Sequence, residues 1–161
     1  MIILGIDPGS RRMGYGAVKF SGRRVEYLGA GLLDIKGGDE PTALAEAQKE
    51  LRRIIHRFRP EILAVEKLFF SKNRKTGMQV AQARGVVLAC GLEAGLRVLE
   101  LAPNQIKSTV AGYGHADKAA VLKMVRLSLG QPDLKVIDDA SDALAAAICA
   151  GQNPGLDRES S

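Results

Sequence analysis

The sequence predicts an α/β fold, a mixed five-stranded sheet with helices on both faces. Three observations predict it. Three strand-like runs follow one another at the amino terminus, separated by short turns containing Gly and Arg. After them, stretches with helical spacing of apolar residues alternate with single short apolar runs, the pattern of strand–helix–strand crossovers. The apolar runs 2–6 and 62–65 each end on a carboxylate, at the position where an open α/β sheet gathers its ligands.

Residues 2–7, 14–20 and 25–33 read as the first three strands, with Arg11-Arg12 and Gly22-Arg23-Arg24 in their turns. A polar connector, 34–41, leads to Thr42 as the expected helix cap. The helix after it places Leu44, Ala45, Leu51, Ile54, Ile55 and Phe58 on its apolar side, and Pro60 ends it. The fourth strand finishes at Glu66. Residues 68–77 read as a loop both aromatic and basic, followed by a long helix over 78–94. Its small residues Ala81, Ala83, Gly85, Ala89 and Gly91 allow a strand, a helix or a second subunit to approach closely. Gly95 reads as the C-cap, 98–101 as the fifth strand, and Pro103 as the opening of a helix bearing Lys107. The Gly-rich connector 112–116 precedes a helix containing Lys118, and 139–150 forms the last helix. Residues 1–152 are expected to make a single domain and 153–161 a polar, flexible tail.

A net charge of +5 in a chain with 46% hydrophobic and 25% charged residues describes a globular protein with a basic surface. Such a surface favours a polyanion, although a merely solvated basic surface explains the charge as well. With no Trp, four Phe and three Tyr, a broad base-stacking platform is not expected. Cys90 and Cys149 sit among apolar neighbours and read as small buried hydrophobes, so neither a disulfide nor a zinc site is expected. No apolar run reaches the length of a membrane span, and Met1 leads directly into a strand-like run without a leader-like segment. The expected location is cytoplasmic, with no membrane partner.

The chemistry-bearing residues lie far apart in the chain. In Gly5-Ile6-Asp7-Pro8-Gly9-Ser10, the turn after the strand aims Asp7 above the sheet, unless Asp7 serves only to nucleate that turn. Glu66 lies at the same sheet edge if its strand runs parallel to the first and beside it; a structural ion pair with an arginine is its other use. Asp139 and Asp142, three residues apart, share one helix face, where the helix dipole also favours acids. Each of these plainer uses suffices singly, and all four must coincide to explain the set. Together the acids suit hard divalent cations, Mg²⁺ above all, which activate water and stabilise a leaving oxygen in phosphodiester hydrolysis. Lys107 and Lys118 sit within or next to loops, where they reach phosphate or remain solvated. Phe69 and Phe70 adjoin Lys72, Arg74 and Lys75, an arrangement that can stack on an exposed base while the cations hold phosphates.

Taken together, Gly5 to Ser10 with Gly14-Tyr15-Gly16, Glu66 with Phe69, Lys72-Asn73, Gln82-Ala83-Arg84-Gly85, Lys107, Lys118 and Asp139-Ala140-Ser141-Asp142-Ala143-Leu144 resemble the RuvC family of bacterial Holliday junction resolvases, nucleases with the ribonuclease H-like fold. The likeness covers nearly the whole chain. It implies a homodimer that cuts two opposed strands of a four-way DNA junction symmetrically, in recombination and repair, leaving 5′-phosphate and 3′-hydroxyl ends. It further implies two Mg²⁺ per site, with Mn²⁺ as a substitute, held by Asp7, Glu66, Asp139 and Asp142. DNA-contacting or catalytic roles fall to Lys107 and Lys118, and Phe69 is the junction-stacking aromatic. RuvA and RuvB, which drive branch migration, are the implied protein partners. Asp138 is open by spacing alone; the Asp-x-x-Asp-Ala-Leu pattern selects Asp139. Two other classes compete: a phosphotransferase of the actin-like ATPase type, whose first phosphate loop also follows a strand but which needs a second lobe, and a non-catalytic junction-binding protein, whose signature is the loss of one or more acids.

Overall fold

A computed structural model describes residues 1–67 and 74–153, the side chains of residues 74 and 75 excepted. Five strands, β1 (Ile2–Asp7), β2 (Gly14–Ser21), β3 (Arg24–Leu32), β4 (Ile62–Glu66) and β5 (Arg97–Leu101), form one mixed sheet in the order β3-β2-β1-β4-β5. The first three pair antiparallel as a meander, while β1–β4 and β4–β5 are parallel. The register Ile6↔Val65 brings Asp7 and Glu66 to the same edge of the sheet. This is the parallel neighbour relationship on which the pairing of those two acids depends.

Two apolar cores flank the sheet. One side chain set from β1, Leu4 and Ile6, faces α1 (Glu40–Phe58) and α2 (Arg74–Glu93) with Leu51, Ile54 and Val87. The other set, with Ile3 and Val18, faces α3 (Pro103–Ala111), α4 (Lys118–Ser128) and α5 (Asp138–Gly151) through Ile106, Val125 and Leu144. Both faces are therefore covered, as parallel strands require.

Helix α5 is buried almost all round and lies directly on β1 and β2. Its run of alanines keeps its own bulk small. Glycines on the strands complete the fit: a Cβ at Gly5 would lie 1.9 Å from the Ala143 carbonyl oxygen, and one at Gly14 would lie 2.1 Å from that of Asp139. No side chain can occupy those positions while the helix stays seated, and that seating carries Asp139 and Asp142 to the sheet edge.

Several boundaries differ from the sequence expectation. Asp39, rather than Thr42, caps α1: its Oδ1 accepts from Thr42 N at 2.8 Å and its Oδ2 from the Thr42 hydroxyl at 2.9 Å. Pro41 fits inside the first turn, where a missing N–H costs nothing. Ala45 is exposed, and Ala43 and Ala47 take its place in the core. Helix α2 begins at Arg74, so residues 74–77 are its first turn and not the end of a loop. Residues 154–161 of the expected tail, with 68–73, lie outside the described residues. Cys90 and Cys149 are free and buried. Among the described residues no helix is long and apolar enough to cross a membrane.

Candidate active site

Three elements supply the acids. Asp7 ends β1, Glu66 ends β4, and Asp139 and Asp142 stand on the first turns of α5. Burial, then the charges of Asp142, Asp139 and Glu66, push the Asp7 carboxyl up to about 7, with Lys118 acting against them. Glu66 is raised by burial and by Asp142, and opposed by Lys107 and Lys118. Asp142 is raised chiefly by burial, against the charge and hydrogen bond of Lys118. The acids thus act on one another as a cluster of like charges in a partly dry environment.

Cations stand close to the three acids of α5. Lys118 Nζ lies 3.4 Å from Asp142 Oδ2 and 3.3 Å from Asp138 Oδ2, and its ammonium is held in the charged form chiefly by Asp142. Arg12 Nε lies 3.0 Å from Asp139 Oδ2, yet that oxygen is buried and accepts no hydrogen bond, so the contact is a charge pair without an aligned donor. As the side chains stand, no three His, Cys, Asp or Glu groups among the described residues close into a cage for a metal ion. Asp138 differs from its neighbour: its side chain is 74% exposed, against 26% for Asp139.

Two hollows open beside these groups and share Glu66. A cavity of about 220 Å³ is lined by Glu66, Ile106, Lys107, Lys118, Val121 and Asp142, among others. A smaller one of about 90 Å³ lies between Asp7, Glu66 and Arg84. Glu66, Asp142 and both lysines thus line the larger hollow and Asp7 joins Glu66 in the smaller, while Asp139 lines neither and is linked to the group by its charge on Asp7. Phe69 and Lys72 lie outside the described residues, as do the side chains of Arg74 and Lys75. His115 is exposed in the α3–α4 connector.

Arg12 and Arg84 belong to this neighbourhood, although sequence alone assigns neither a role. Arg84 Nε donates to the main-chain carbonyl of Glu66 at 3.3 Å, and its Nη2 pairs with Glu100 on β5. It thereby ties α2 to the strand end that carries Glu66. Its signal in the sequence is the Gln-Ala-Arg-Gly segment; that of Arg12 is only its place in the turn after Asp7.

The family model described as "Crossover junction endodeoxyribonuclease RuvC" matches residues 3–150. A protein of that name from Chloroflexus aurantiacus is 47% identical over 150 residues, covering 92% of each chain. One from Pelotomaculum thermopropionicum is 43% identical over the same span, again 92% of each. The solved structure of Thermus thermophilus RuvC in complex with a Holliday junction substrate superposes with a TM-score of 0.86 at 33% identity, covering 94% of this chain and 93% of that one.

Proposed function

This chain belongs to the RuvC family of crossover junction endodeoxyribonucleases, and on that footing we propose that it resolves Holliday junctions by metal-dependent hydrolysis of two opposed strands. Cleavage is symmetric, one strand per subunit of a homodimer, and leaves 5′-phosphate and 3′-hydroxyl ends. The observation that carries the reading is Asp7, a carboxyl raised to about 7 by burial and by three neighbouring acids. Such crowding is unfavourable until hard cations arrive to relieve it.

The donors fit such cations: all are carboxylate oxygens, and Asp139 Oδ2 is buried with no hydrogen bond. We assign two Mg²⁺ per site to Asp7, Glu66, Asp139 and Asp142, with Mn²⁺ as a substitute. When bound, they supply an activated water and charge stabilisation at the leaving oxygen. Lys107 and Lys118, on the wall of the larger cavity, hold phosphate oxygens and offset charge that develops during cleavage. Ile106 and Val121 give that cavity an apolar floor that limits water beside the reacting phosphate. Phe69 stacks at the junction, with Lys72, Arg74 and Lys75 on neighbouring phosphates.

The outer face of α2 supports the homodimer. Met78, Gln82, Gly85, Ala89 and Leu92 are all exposed and recur at steps of four and three, a seam on which a second helix can lie closely. RuvA and RuvB are the proposed partners in branch migration, and the cytoplasm the place of work. The test is a labelled four-way junction beside a linear duplex, each with Mg²⁺ or EDTA. Paired nicks should form on the junction alone and only with metal. Cutting in EDTA, or equal cutting of the duplex, refutes the proposal.

A further inference from the structure

We infer that Arg12 is a positioning residue for Asp139 and competes with divalent metal for that carboxylate. The inference rests on the proposal that Asp7, Glu66, Asp139 and Asp142 hold metal. It starts from where the backbone puts the two residues. Arg12 precedes Met13, whose side chain is fully buried and whose carbonyl accepts from Leu33 N at 2.9 Å. The main chain beside Arg12 is therefore anchored, although the Arg12 side chain is 64% exposed. Asp139 is anchored from the other direction, because the bare Gly14 lets the first turn of α5 press against the start of β2.

Between these fixed backbones the side chains meet at 3.0 Å, Arg12 Nε to Asp139 Oδ2. That oxygen has no hydrogen bond to lose, so the arginine holds it by charge alone. A pair with so exposed a partner is weak and exchangeable. It holds the carboxylate in place without a hydrogen bond to it. A dication reaching Asp139 must share that oxygen with the guanidinium or displace it, and the two positive charges oppose each other at contact distance. Arg12 therefore lowers metal affinity in the DNA-free chain. By linkage, metal must loosen Arg12 to the same degree, which frees a cation at the mouth of the site for a phosphate.

The test is Mn²⁺ binding to the full chain without DNA, followed by the resonance signal of free Mn²⁺, with circular dichroism to show that each variant is folded. Arg12→Gln should bind about 2- to 5-fold more tightly than the unchanged chain, the range an exposed ion pair supports. Arg12→Lys keeps the charge without the planar fork and should fall between the two. Arg23→Gln, in the turn at the far end of the β2–β3 hairpin, removes the same net charge and should change nothing. In an Asp139→Asn background the effect of Arg12→Gln should vanish. Unchanged or weaker binding by Arg12→Gln, or a gain that persists beside Asp139→Asn, overturns the inference and leaves the metal site standing. An unchanged chain that binds no Mn²⁺ overturns the metal site, and the role of Arg12 with it.

Discussion

Asp142 is the strongest like-charge neighbour of Asp7: after burial, its charge does most to raise the Asp7 carboxyl to about 7. The last residue of β1 and the third acid of α5 thus form one electrostatic unit across most of the chain's length. Asp7→Asn removes a proposed metal ligand and should lower junction cleavage at least about 100-fold. Junction binding in EDTA, read by gel shift, should hold or tighten, since a negative charge facing phosphate is gone. Cleavage near the unchanged rate would refute the assignment.

The same crowding predicts how stability depends on pH. Asp7 titrates at about 7 when folded, against 3.8 for the free side chain, so between those values the folded state holds more protons than the unfolded one. Its contribution to stability therefore falls as pH rises through that window. Glu66 and Asp142, also raised, act with the same sign. In EDTA, Asp7→Asn should melt above the unchanged chain near pH 8, by an amount on the order of 2 to 4 kcal/mol, and the gap should close near pH 4. A gap that does not change with pH would show that Asp7 is not under charge strain.

Adjacent acids should behave differently. Asp139 is mostly buried and Asp138 mostly exposed, the latter meeting Lys118 at the surface. Single-turnover cleavage should fall at least about 100-fold in Asp139→Asn and only about 2- to 3-fold in Asp138→Asn. Equal losses would count against the assignment of Asp139.

Lys118 faces both an acid and the larger cavity. If it passes to a phosphate on binding, Lys118→Ala should reduce the slope of log affinity against log salt by about 1 and slow cleavage by roughly 100-fold. An unchanged salt slope would confine Lys118 to its contacts with Asp138 and Asp142.

The seating of α5 is open to a direct stability test. A methyl group at Gly5 would meet the Ala143 carbonyl oxygen at 1.9 Å, and a backbone atom cannot step aside as a side chain does. Gly5→Ala should cost on the order of 3 kcal/mol or more in urea unfolding. A loss below about 1 kcal/mol would mean that the helix has room to shift.

The ends of the short strands were legible because two local rules agree on them. Apolar runs such as 62–65 are too short for helices, and a carboxylate closing a buried strand must emerge at its edge. Gly95, with φ +73, was legible as the glycine that closes α2, although it stands one residue past the cap position, Ala94. The start of α1 was less so: Asp39 and Thr42 are both good capping residues, and the choice depends on which one the preceding loop leaves outside the helix. Ala45 reads as apolar, but alanine is small enough for either face, and in the packed structure Ala43 and Ala47 lie inside instead. Arg84 is marked in the sequence only by the Gln-Ala-Arg-Gly segment and Arg12 only by its place in the turn after Asp7; neither signal names a partner, since an arginine's partner is set by whatever the fold brings within reach.

The alternation of strands and helices is written along the chain in residue type, periodicity and short-range spacing, and the same signals mark acids at the ends of β1 and β4 and at the start of α5; preferring Asp139 to Asp138, and Lys107 and Lys118 to other lysines, took the family resemblance. Only the tertiary structure decided that Asp7, Glu66, Asp139 and Asp142 act on one another, that Asp138 faces solvent, and that Arg12 rests on Asp139. Those facts depend on parallel pairing of β1 with β4 and on the close seating of α5 over Gly5 and Gly14. Electrostatic coupling falls with distance in space, and it is packing, not sequence separation, that sets that distance.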